Sequence, residues 1–135
     1  MDDLVQFLRD RYDEEARLAI AARDEEFCRD GRWTARGPFG DGDRFGSVQS
    51  EVSEAILGED TDNVPFAYVD HIARHSPEHV LAEIDAKRSL LELAERARDY
   101  HETFVNGFAA ALEKTLRLHA VAYADHPDYR DTWRP

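Results

Sequence analysis

Two histidines, His71 and His75, stand four residues apart in the run His71-Ile72-Ala73-Arg74-His75. On a helix that spacing sets both imidazoles on one face, the arrangement that can hold zinc or a similar cation. A third ligand is available from His79, Asp125 or His126. The set His71, His75 and His126 would make the centre of a small metal-dependent, hydrolase-like enzyme. Position 72 is isoleucine, so the glutamate that acts as base in metalloproteases of this spacing is missing. The plainer reading sets His75 at a helix end, bonded to carbonyls of the last turn, with His71 an ordinary interfacial residue. Asp70-His71 and Asp125-His126 each set a carboxylate beside an imidazole, as acid–base work requires. Neighbouring residues seldom aim their side chains at one another, and Asp125, two before Pro127, suits a turn. Cys28 is the only cysteine and has no identifiable partner to lower its pKa, so it reads as a buried apolar residue. The sequence therefore assigns no catalytic residue and no cofactor, with zinc as the alternative.

Charge offers a second kind of site. The 135 residues carry 29 acids against 17 lysines and arginines, a net charge of −12. That balance speaks against direct nucleic-acid binding, which rests on basic residues neutralising phosphates. Residues 37 to 70 hold eight acids against Arg44 alone, a net of −7 and more than half of the excess. Within it, Glu51, Glu54, Glu59 and Asp60 form the surface expected to meet a basic protein partner. The opposite reading is a solvated insertion. Lys87, Arg88, Arg96 and Arg98 are interleaved with Glu83, Asp85, Glu92 and Glu95, as on a solvated helix face. No glycine loop has the lysine and the strand-to-helix setting that cradle phosphate.

These residues need elements to position them. One chain of this length, 42% apolar and 34% charged, can bury a core as a single domain. From residue 2 to about 28, Leu4, Phe7, Leu8, Tyr12, Ala16, Ala19 and Ile20 recur at steps of three and four, which predicts a helix. Residues 29 to 64 hold six of the seven glycines. There Trp33 to Ala35 and Phe45 to Val48 can pair as a hairpin about Gly40-Asp41-Gly42-Asp43. Val48, Val52, Ala55 and Ile56 also fit a short helical turn. A helix over about 65–75 would turn Phe66, Val69, Ile72 and Ala73 inward and stop before Pro77. Ser76 caps the next helix and Pro77 takes its first position. That helix runs over about 77–122, some 65 Å if unbroken, with a kink or turn expected near Tyr100 to Gly107, Asn106-Gly107 being the best local candidate. The segment 123–135 carries Tyr123, Tyr129 and Trp133, too aromatic for a free tail, and is expected to dock, with Trp33 and Trp133 meeting one core.

The fold expected is mainly α, an antiparallel long-helix bundle with a small glycine-rich β-hairpin or loop insertion. An extended coiled-coil homodimer remains the alternative packing.

Three blocks carry a family resemblance. Asp3 to Arg9 (DLVQFLR) opens the chain. The middle holds His71 to His75 (HIARH), Pro77, Val80 to Glu83 (VLAE) and Ala86 to Arg88 (AKR). Tyr123 to Arg130 (YADHPDYR) with Trp133 to Pro135 (WRP) closes it. Together they resemble a family of short uncharacterised proteins, a domain of unknown function, found in actinobacteria and some of their phages. About half of the chain carries the likeness; Ser76 stands where members tend to have aspartate. The resemblance implies an intracellular protein and brings no activity. An acidic start, one cysteine and no apolar stretch near 20 residues agree with the cytoplasm and with no membrane partner. The function expected is a non-enzymatic protein-binding, adaptor or inhibitor module.

Overall fold

The computed structural model describes residues 1–25, 31–38, 42–50, 55–58, 64–98 and 103–135. It is mainly helical, with a small antiparallel sheet. Helix α1 spans Asp2–Asp24, followed by strands β1 (Trp33–Arg36), β2 (Phe45–Ser50), β3 (Ala55–Leu57) and β4 (Val64–Pro65). Then come helices α2 (Phe66–Arg74), α3 (Pro77–Arg98) and α4 (Thr103–Val121), and a 3-10 turn at Asp131–Trp133. The chain divides into two compact units: Met1–Glu14 with Ile84–Pro135, and Glu15–Glu83. No helix among the described residues is long and apolar enough to cross a membrane.

In the first unit, the apolar stripe of α1 does what its spacing requires. Leu4, Val5, Phe7, Leu8 and Tyr12 are buried, as are Ile84, Leu91, Ala94 and Ala97 of α3 and Leu112, Leu116 and Ala120 of α4. Each fully buried leucine or isoleucine contributes roughly 1.5–3 kcal/mol, far more than the surface charges do. Those charges report direction instead. Asp2 pairs with Arg98, Arg9 with Glu95 and Asp13 with Arg88, so this stretch of α1 runs antiparallel to α3.

The aromatic segment docks, as its composition predicts. Trp133 is buried, with its ring centroid 4.9 Å from Phe7 and 5.8 Å from Tyr129. Arg117 of α4 donates to the carbonyl of Thr132 at 3.1 Å. The terminal 3-10 turn starts after Arg130, without a side-chain cap bond.

In the second unit, β2 is the central strand. It pairs antiparallel with β1, from Trp33 opposite Ser50 to Arg36 opposite Ser47. Its other edge takes β3, with an irregularity between Val48 and Gln49, and β4, with Phe45 opposite Pro65. Helix α2 leaves β4 at once, the Phe66 amide donating to the Arg44 carbonyl at 2.7 Å, and packs Val69 and Ala73 on Val48. Trp33, Ala35, Ile56, Val64, Phe66 and Ile72 surround that cluster. A Cβ on Gly46 would run into the Arg36 carbonyl oxygen and lie 3.0 Å from the Phe66 ring. Glycine at that point of β2 is what lets α2 and β1 come so close. Ser76 and Pro77 are buried at the start of α3, and the Val80 amide donates to the Ser76 carbonyl at 3.0 Å.

Four expectations change. At Val48 and Ile56 the helical alternative gives way to strand, Val48 in β2 and Ile56 in β3, because sheet pairing and α2 together bury Val48 completely; residues 51–54, with Val52, lie outside the described residues. The sheet also gains β3 and β4 beyond the expected hairpin. Asn106-Gly107 is not a break but lies inside α4, since one glycine in an exposed helix costs only about 1 kcal/mol. Residues 99–102, between α3 and α4, lie outside the described residues. Finally, Trp33 and Trp133 do not share a core; Trp33 packs on the Val48 cluster and Trp133 on Phe7.

Candidate functional site

The histidines of the second unit sit where α2 ends. His71 is in its last turn, His75 is the cap residue, and their rings lie 4.4 Å apart with a 39° tilt. His75 Nδ1–H donates to the His71 carbonyl at 2.7 Å, which satisfies a helix-end carbonyl. His79, in the first turn of α3, meets His75 edge-on at 6.1 Å and lies 3.4 Å from Glu83. All three imidazoles are exposed. Asp70 receives Arg74 Nε at 3.2 Å rather than orienting His71. Among the described residues, no group of three or more His, Cys, Asp or Glu could hold a metal ion.

His126 belongs to the first unit and is engaged there. Its Nδ1 accepts the Asp128 amide at 3.2 Å, and its ring stands edge-on to Phe7 at 5.7 Å. Asp125, its neighbour, is exposed. Cys28, Glu51, Glu54, Glu59 and Asp60 lie outside the described residues.

A cleft of about 460 Å³ opens in the first unit between α1 and residues 127–133. Phe7, Tyr129 and Trp133 supply its aromatic wall, and Asp3, Asp10 and Asp128 are among its acidic residues. Arg130 pairs with Asp3 and lies over the Trp133 ring, 5.5 Å from its centroid. The Asp3 carboxyl is held below its ordinary value, chiefly by a hydrogen bond from its own backbone and next by the Arg130 charge, so it remains anionic. The Gln6 amide donates to Asp10 at 2.8 Å.

Arg11 is the unusual member. Its side chain is only 14% exposed, and among the described residues its buried Nε and Nη1 have no hydrogen-bond partner. Glu14 lies 3.5 Å from Nε without bonding to it, and the guanidinium stands 5.5 Å from the Phe7 centroid. The Tyr129 hydroxyl is likewise buried and unbonded. An unpaired buried donor costs about 1–3 kcal/mol, more when charged, whereas a cation–π contact returns roughly 0.5–2 kcal/mol. Two such residues lining one cleft call for an acceptor. Chemically, the arrangement can bind an electron-rich group; it contains no paired nucleophile and base.

Arg11 stood in plain view in the sequence. It falls four after Phe7 and three after Leu8, on the apolar stripe itself, where a charged residue signals either a snorkelling side chain or a site. Tyr129 was legible as a docking residue but not as an unbonded hydroxyl.

The chain belongs to a family of unknown function, DUF6221, which matches residues 1–135. No curated protein and no solved structure matches it.

Proposed function

We propose that this protein is a non-enzymatic binding module of the cytoplasm, an adaptor or inhibitor that holds another molecule without transforming it. The cleft between α1 and residues 127–133 is the proposed seat. One observation carries the reading: Arg11 and Tyr129 keep buried donors unbonded beside an aromatic-walled cleft large enough for a ligand. The opposed ion pairs of α1 and α3 support reading the helices as an antiparallel bundle, a rigid frame for such a site. Fractions of an extract from the native cell, titrated into the ¹⁵N-labelled protein, test the assignment. Resonances of Arg11, Tyr129 and Trp133 are expected to move together. Changes confined to residues 15–83, or none in any fraction, would reject it.

A protein partner on the acidic segment is a separate part of this proposal, motivated by the local net charge of −7 over residues 37 to 70. Neutralising Glu51, Glu54, Glu59 and Asp60 to their amides is expected to weaken capture of that partner; unchanged capture removes the segment from the account.

A metal-dependent, hydrolase-like enzyme centred on His71 and His75 is the second reading, favoured by the close approach of their rings. It expects zinc to raise the melting temperature, and His71→Ala with His75→Ala to abolish the rise. An unchanged melting temperature, with no metal in the purified protein, dismisses it.

A further inference from the structure

We propose that the cleft takes a small monocarboxylate, its flat apolar body along Phe7 and Trp133 and its carboxylate at Arg11 and Tyr129. The inference rests on the reading of this cleft as a binding site and adds the chemistry of what fills it. The unbonded groups are Nε and Nη1 of Arg11 and the hydroxyl of Tyr129, all able to donate. A carboxylate is acceptor-only and takes several such donors at once, with charge assistance from the guanidinium. Phe7 already stands against that guanidinium, so the ligand oxygens approach in its plane. Phe7, Tyr129 and Trp133 line the cleft and give the aromatic wall against which such a body lies.

The acids select against other anions. Asp3 and Asp128 are 49% and 76% exposed, and Asp10 is exposed beside them. Asp3 is offset by Arg130, but Asp10 and Asp128 repel phosphates and polyanionic surfaces at the mouth more strongly than a single carboxylate. The donors lie beneath the cleft surface, so uptake turns the Arg11 side chain towards the ligand.

The test uses the full ¹⁵N-labelled chain carrying Trp33→Phe, which leaves Trp133 as the single indole. Benzoate is the probe, with benzamide as its neutral counterpart and phenyl phosphate as the dianion. Benzoate is expected to shift Arg11 Nε–H and the Trp133 indole saturably. Benzamide is expected to bind about tenfold more weakly or worse, the scale of a charge-assisted hydrogen bond. Arg11→Gln is expected to remove that preference and Tyr129→Phe to reduce it severalfold, with helix content unchanged by circular dichroism. Equal binding of benzoate and benzamide would overturn the carboxylate while leaving the cleft a binding site. Tighter binding of phenyl phosphate would overturn it in favour of a phosphate. No shift with benzoate up to about 10 mM would overturn it outright, and the extract titration then judges the cleft independently.

Discussion

Replacing Trp133 with alanine removes a ring that Phe7, Tyr129 and Arg130 enclose. The residue is 7% exposed, so the substitution returns roughly 150–200 Å² of apolar surface to water, about 4–5 kcal/mol at ~25 cal/mol per Å². Core Trp→Ala changes cost roughly 3–5 kcal/mol, in agreement. The location limits how the loss is felt. Residues 127–133 can lift away while the helices stay together, so part of the cost is escaped by undocking rather than by global unfolding. Urea unfolding followed by circular dichroism should therefore show a loss of about 2–4 kcal/mol, with amide exchange fastest around residues 127–133. Trp133→Phe should cost about half as much. In the Trp33→Phe background, the Trp133 emission should be blue-shifted and should move to the red on adding the Arg130→Ala and Asp3→Ala changes. A loss below about 1 kcal/mol for Trp133→Ala, with exchange unaltered, would refute the docking of this segment as a stabilising contact.

Gly46→Ala should destabilise the second unit by roughly 1–3 kcal/mol, because its Cβ meets the Arg36 carbonyl oxygen and the Phe66 ring; melting curves read it directly. Gly107→Ala should do the opposite, raising stability by about 0.5–1 kcal/mol, since an added Cβ in that stretch of α4 touches nothing. His119 is held below its usual pKa of 6.5 by burial and then by the charge of Lys87. Its folded form resists the proton that the unfolded chain accepts, so stability should fall as pH drops below about 6.5 and level off below the depressed value. His119→Gln should flatten that part of a urea-midpoint profile, and an unflattened curve assigns the slope to another group. Asp13→Asn, which breaks an exposed ion pair with Arg88, should change the urea midpoint by less than about 0.5 kcal/mol.

What could be read from the residues depended on how local their causes are. The stripes of α1 and α2 were legible because burial at steps of three and four is a property of a short window: Leu4, Leu8 and Tyr12, then Val69 and Ala73, are buried as that pattern requires. The pairing of Trp33 to Ala35 with Phe45 to Val48 was legible from the flanking glycines, and the strands extend it to Arg36 and Ser50. Strands β3 and β4 were not, because three and two residues carry no periodicity, and their pairing depends on where β2 lies. The expected break at Asn106-Gly107 lies inside α4, since that pair is a stronger breaker on paper than in an exposed helix. For the site, the aromatics of the closing segment pointed to docking. Nothing local could say that Arg11 would end there with Nε and Nη1 unbonded, for that depends on which side chains arrive from 118 residues further along, at Tyr129.

The two units differ in how their residues are drawn from the chain. One is assembled from the continuous stretch 15–83, the other from residues 1–14 and 84–135. During synthesis the continuous unit has all its parts once residue 83 has left the ribosome, and it can form while the rest is still being made. The opening fourteen residues, with Leu4, Phe7 and Leu8 uncovered, must wait until Trp133 emerges before their own core closes. Nascent chains stalled beyond residue 83 should thus resist protease over the sheet while remaining cleavable near the first turns of α1, and chaperones that grip exposed leucine and phenylalanine have their natural target there.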